Sequence, residues 1–96
     1  MQTQKQKIIF IEGDEGLVDV GPTDELDVSG LVCPYPGFEA VKKIENAPQG
    51  AVVDITTDME NVARESIPVL MRNRGFRFAV FRCPDSDRWV VRVQKS

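Results

Sequence analysis

Between Phe76 and Val93 the chain alternates twice with a period of two. Phe76, Phe78 and Val80 alternate with Arg77, Ala79 and Phe81; beyond a Pro-Asp-Ser-Asp turn, Trp89, Val91 and Val93 alternate with Arg88, Val90 and Arg92. Successive side chains of a strand point to opposite faces, so this pattern predicts a hairpin with one strongly apolar face. Such a face must be covered, and the residues before it contain the helices that can do so.

Glu25–Gly30, "ELDVSG", reads as a short strand ending in a Ser-Gly turn. In "PGFEAVKKIENA" Phe38, Val41 and Ile44 recur at helical spacing, and "PQG" ends the helix. "AVVDITT" is rich in β-branched residues and predicts a second strand. Strand, helix, strand implies a crossover and a parallel pair. In "DMENVARESIPVLMRNRG" the stripe is Ala63, Ile67, Leu70 and Met71. Pro68 cannot sit deep in a regular helix. The expectation is a short turn over Glu60–Glu65, begun by Asp58 as a cap, with Ser66 capping a new helix at Ile67. Together the elements give β-α-β-α-β-β, an α/β (α+β) two-layer sandwich with a mixed four-stranded sheet and two helices on one face. Residues 1–24 stand apart as an N-terminal arm. They read either as a hairpin, Lys7–Glu12 with Leu17–Val20 around Gly-Asp-Glu-Gly, or as a partly disordered lead-in to a domain spanning 25–96.

Composition removes several chemistries. There is no histidine, which excludes Cys–His nucleophilic pairs and histidine metal sites; no metal and no cofactor are expected. Two cysteines, Cys33 and Cys83, are too few for a disulfide scaffold, so free thiols are expected. A net charge of −3 argues against wholesale attraction to nucleic acid. Acidic residues crowd the first third and arginines the last, which leaves a docking face built on Arg77, Arg82 and Arg92 as a second reading. No apolar run is long enough for a membrane span, and the amino terminus shows no signal-peptide pattern, so a cytoplasmic location is the expectation.

Cys33 sits in "LVCPYPGFEAVKK", directly before Pro34 and close to Pro36, where the first helix begins. A residue before proline is pushed out of the helical region, and prolines are tolerated in a first helical turn. This places the thiol at or just before the helix N-cap, where the positive end of the dipole favours a thiolate. The other reading is a buried structural cysteine with the prolines as punctuation. Cys83, beside Pro84, is either filler near a turn or a second thiol.

The stretch Leu26, Asp27, Gly30, Leu31, Cys33, Pro34, Pro36 and then Lys42–Lys43 resembles the signature of the TusA/SirA-like sulfur-carrier family. "TTDMENVARESIPVL" resembles that family's second block, and the likeness extends over about residues 25–93. It implies a cytoplasmic sulfurtransferase whose Cys33 accepts a sulfane sulfur as a persulfide. Asp27, Gly30, Pro34 and Pro36 would shape the loop. The implied partners are a sulfur donor, either a cysteine desulfurase or a rhodanese-like enzyme, and an acceptor protein. The pathways implied are tRNA thiolation, molybdenum-cofactor maturation and sulfur oxidation. Gly37, Ser66, Cys83 and the long lead-in depart from the pattern. Two other function classes stay open: a non-catalytic interaction module, RNA-binding through the arginine face, and a Cys33/Cys83 dithiol redox protein.

Overall fold

The computed structural model of the protein describes residues 9–32, 35–82 and 87–95. Its elements are β1 (Ile9–Gly13), a 3-10 turn (Glu15–Asp19), β2 (Asp24–Asp27), α1 (Tyr35–Glu45) and β3 (Val52–Thr57). A π-helical turn (Val62–Ser66), α2 (Ile67–Asn73), β4 (Arg77–Arg82) and β5 (Trp89–Gln94) complete them. The sheet is mixed, in the order β1-β4-β5-β3-β2. β2 runs parallel to β3, with Leu26 opposite Ile55, and every other pair is antiparallel.

The strand number corrects the expectation of four. The arm does not fold into a hairpin on itself among its described residues; β1 pairs with β4, Phe10 opposite Phe81, and the following residues form the 3-10 turn. Gly13 makes this possible. It has φ +102°, and a Cβ there would lie 2.4 Å from the Phe78 carbonyl oxygen, so only glycine lets the chain leave β1 so close to β4. Lys7, part of the expected hairpin, lies outside the described residues.

The helices cover one face of the sheet. Ala40 and Ile44 of α1 and Ile67 and Met71 of α2 are fully buried against Val53, Ile55, Val80, Val91 and Val93. Each large apolar side chain buried this way contributes about 1.5–3 kcal/mol of transfer free energy. The buried stripe of α1 differs from the expected one: Gly37, Ala40 and Ile44 point inward, whereas Phe38 is 61% exposed. Gly37 decides this, because a Cβ there would meet the Leu70 methyl at 2.7 Å; its absence lets α2 approach α1. Pro68 also has a different solution from the expected Ser66 cap. Ser66 is itself helical and makes no capping bond. The chain instead widens by one residue into a π turn, with Ile67 N–H donating to the Val62 carbonyl, and Pro68 falls in the first turn of α2, where it needs no donor.

The opposite face of the sheet is expected to be the wetter one, yet part of it is closed. Leu17, 1% exposed, plugs onto Ala79 and Phe81, flanked by Val18 and Val90. Arg92 holds this strap down. Its Nη1 donates to the carbonyls of Leu17 (3.2 Å), Val18 (2.8 Å) and Val20 (2.7 Å). Its other edge meets Asp54, Nε to Oδ1 at 2.7 Å and Nη2 to Oδ2 at 3.0 Å.

Candidate functional site

The carboxyl-terminal ends of β2 and β3, which lie side by side because the pair is parallel, carry the turn that leads toward Cys33. Val28 N–H donates to the Thr56 carbonyl at 2.8 Å, extending the ladder one residue beyond β2. The backbone then turns over Ser29 and Gly30. Asp27 Oδ1 accepts from Ser29 N–H at 2.9 Å. Gly30, with φ +87°, donates its N–H to Asp58 Oδ1 at 3.2 Å. Leu31 N–H returns to the Val28 carbonyl, and Tyr35 N–H, opening α1, donates to the Val32 carbonyl. The Asp27 carboxyl is held below its ordinary range by the Ser29 hydroxyl beside it, by the Ser29 N–H and by the field of Arg88. That hydroxyl faces the carboxylate without meeting full hydrogen-bond geometry.

Around this turn the surface is apolar and open. Leu31, Val32, Tyr35 and Phe38 are all exposed, Val32 at 59%. A groove lined by Phe38, Val41, Lys42, Glu45, Leu70 and Arg74 continues the patch between the two helices. Isolated exposed apolar residues are ordinary, but a contiguous group beside a loop suits contact with another macromolecule.

Cys33, Pro34 and Cys83 lie outside the described residues. Of the other expected site residues, Asp27 and Gly30 share the turn, and Pro36 is buried in the first turn of α1. Arg82 and Trp89, which flank segment 83–86, lie at the same end of the sheet as Asp27. β4 and β2 are three strand spacings apart, about 14 Å. Lys43 points away from the loop: its Nζ meets Asp24 Oδ2 at 2.7 Å, at the far end of β2.

The arginine face is largely consumed within the chain. Arg92 is taken up by Asp54 and the strap, and Arg77 by Asp14, Nε to Oδ2 at 2.7 Å. Arg82 lies over Trp89, 5.4 Å from the ring centroid. Asp58 is the residue that sequence reasoning misassigned: the expectation was a helix cap, and its carboxylate braces Gly30 instead. The signal was present in its position directly after β3, but only the β2–β3 register turns that position into a contact. Among the described residues no cluster of side chains could hold a metal ion.

A family model described as sulfurtransferase TusA matches residues 24–95. The chain belongs to the TusA family. It is 33% identical over 73 residues to a protein of Archaeoglobus fulgidus named as a candidate sulfur carrier, a match covering 74% of this chain and 94% of that one. The crystal structure of a SirA-like protein from Desulfitobacterium hafniense shares the fold, with a TM-score of 0.65 at 23% identity over 75% of this chain and 96% of that one. Membership brings a role in sulfur transfer, stated coarsely, and with it a donor and an acceptor of sulfur. It also matches the motif of Asp27, Gly30, Cys33, Pro34 and Pro36 to the part of the chain covered by the family, while the strap precedes residue 24. Among the described residues no helix is long and apolar enough to cross a membrane.

Proposed function

We propose that this TusA-family protein is a cytoplasmic sulfurtransferase that carries sulfur covalently on Cys33, with residues 25–96 as the carrier unit and residues 1–24 as its arm. The observation that carries the reading is the family match over residues 24–95 with Cys33-Pro34-Tyr35-Pro36 intact at the entrance to α1. Cys33 as a thiolate attacks the terminal sulfur of a donor persulfide. The Cys33 S–S bond forms, the donor's S–S bond breaks, and the electron pair leaves on the donor cysteine as its thiolate. The reverse roles at an acceptor thiolate deliver the sulfur, so neither step needs an external oxidant. α1 begins two residues after Cys33, and a helix N-terminus favours an anionic sulfur in both thiolate and persulfide forms.

Asp27, Gly30, Pro34 and Pro36 shape the loop, and the exposed Leu31, Val32, Tyr35 and Phe38 supply contact area to a cysteine desulfurase or rhodanese-like donor and to an acceptor protein. The sulfur then serves tRNA thiolation, molybdenum-cofactor maturation or sulfur oxidation. The arginine-based RNA reading is weaker, because Arg77 and Arg92 are already engaged inside the chain. Intact-protein mass spectrometry after polysulfide treatment tests the carrier role. A reducible gain of one sulfur atom, lost in Cys33→Ala and kept in Cys83→Ala, is expected. Loss in either single variant points to a cysteine pair, and no adduct on the wild type overturns the reading.

A further inference from the structure

We propose that Asp58 is the positioning residue of the carrier loop, holding the turn before Cys33 through the Gly30 amide; this rests on the carrier reading above. The argument begins with what else holds that turn. Ser29 N–H bonds to Asp27, two residues back, and Leu31 N–H bonds to Val28, three residues back. Both are local bonds that travel with the turn and do not fix it to the fold. Apolar burial adds little, since Leu31 and Val32 are exposed. Among the described residues, Gly30 N–H to Asp58 is the one hydrogen bond from residues 29–32 to a distant part of the chain, spanning 28 positions.

The other end of this brace is firm. Thr57, the last residue of β3, is fully buried, and its hydroxyl accepts from Met59 N–H at 3.2 Å, so the backbone on both sides of Asp58 is tied to the sheet. Gly30 is three residues before Cys33, a span of at most about 10 Å of extended chain. A turn fixed at Gly30 therefore limits where the loop can carry the sulfur. Transfer between two protein thiols depends on that placement, because a reacting atom misplaced by about 1 Å can cost orders of magnitude in rate. Asp58 acts through Gly30 and need not touch sulfur itself.

Asp58→Ala removes the acceptor, whereas Asp58→Asn keeps an acceptor oxygen and removes only the charge. Three readouts are taken on the full chain: hydrogen exchange of the Gly30 amide, the pH midpoint of Cys33 alkylation, and the rate of sulfur handover from polysulfide-loaded protein to a thiol acceptor. Expected in Asp58→Ala is Gly30 exchange faster by roughly fivefold or more, the worth of one net hydrogen bond, with handover slowed several-fold. Asp58→Asn is expected to restore most of both. Equal defects in the two variants, accompanied by equal downward shifts of the alkylation midpoint, overturn the brace in favour of a charge effect. Wild-type protein that loads normally while Asp58→Ala matches it in exchange and handover overturns the brace alone. Wild-type protein that takes no sulfur overturns the carrier reading and this inference with it.

Discussion

Arg92 and Asp54 meet edge to edge across β5 and β3, with side chains only 11% and 15% exposed, and the remaining nitrogen of Arg92 gathers the carbonyls of Leu17, Val18 and Val20. One guanidinium thus closes a cross-strand ion pair and fastens the amino-terminal strap. Arginine suits this task because its planar fork satisfies a carboxylate bidentately while leaving further donors free.

Arg92→Ala leaves the Asp54 carboxylate and three carbonyls without their donor. Breaking a mostly buried pair from one side costs about 3 kcal/mol or more. Urea unfolding is expected to show that loss, and amide exchange is expected to accelerate over residues 14–20. A loss below about 0.5 kcal/mol, the scale of an exposed pair, contradicts the clamp.

Leu17→Ala removes the strap's plug from Ala79 and Phe81. The expected cost is about 2–3 kcal/mol, at the lower end for buried leucines because one side of the site can relax toward solvent. Sulfur loading on Cys33 is expected to stay within about twofold of wild type, since the plug lies on the sheet face opposite the helices. Equilibrium unfolding and mass spectrometry read the two separately.

Glycine substitutions separate strain from collision. Gly13→Ala meets both a positive φ and the Phe78 carbonyl, so β1 has to shift, and a loss of more than about 2 kcal/mol is expected. Gly30→Ala meets open space and carries only the conformational penalty of about 1 kcal/mol. Thermal unfolding ranks them, and the reverse order refutes the assignment of Gly13 to the β1–β4 contact.

Acid is expected to loosen the strap. The Arg77 guanidinium, and then the Gly16 N–H, hold the Asp14 carboxyl below its ordinary value. A lowered folded pKa means the stabilisation is fully present above the unfolded value of about 3.9 and is lost as pH falls through the folded one. Unfolding midpoints between pH 6 and pH 2 are expected to drop below about pH 4, with a shallower drop in Asp14→Asn. An identical profile in that variant excludes Asp14 as a contributor.

The sequence by itself determined the elements whose signals are local. The two alternating runs announced β4 and β5, the β-branched "AVVDITT" announced β3, and Cys-Pro-Tyr-Pro at the mouth of a helix led to the family. Such signals lie within a few residues, where periodicity and proline geometry act directly. Register and partnership belonged to the tertiary structure. Whether "IFIEG" pairs with Leu17–Val20 or with β4 depends on which partner offers an open edge, and β4 does. Phe38 was misread as core because helical spacing alone does not say which of two adjacent stripes faces inward; the Gly37–Leu70 approach decides it. Arg92 finds Asp54 across 38 positions and Gly30 finds Asp58 across 28, each through strands brought into register elsewhere. A hydrogen bond between distant residues has no local trace in the sequence, because its energy is gained only after the sheet has already brought its two ends together.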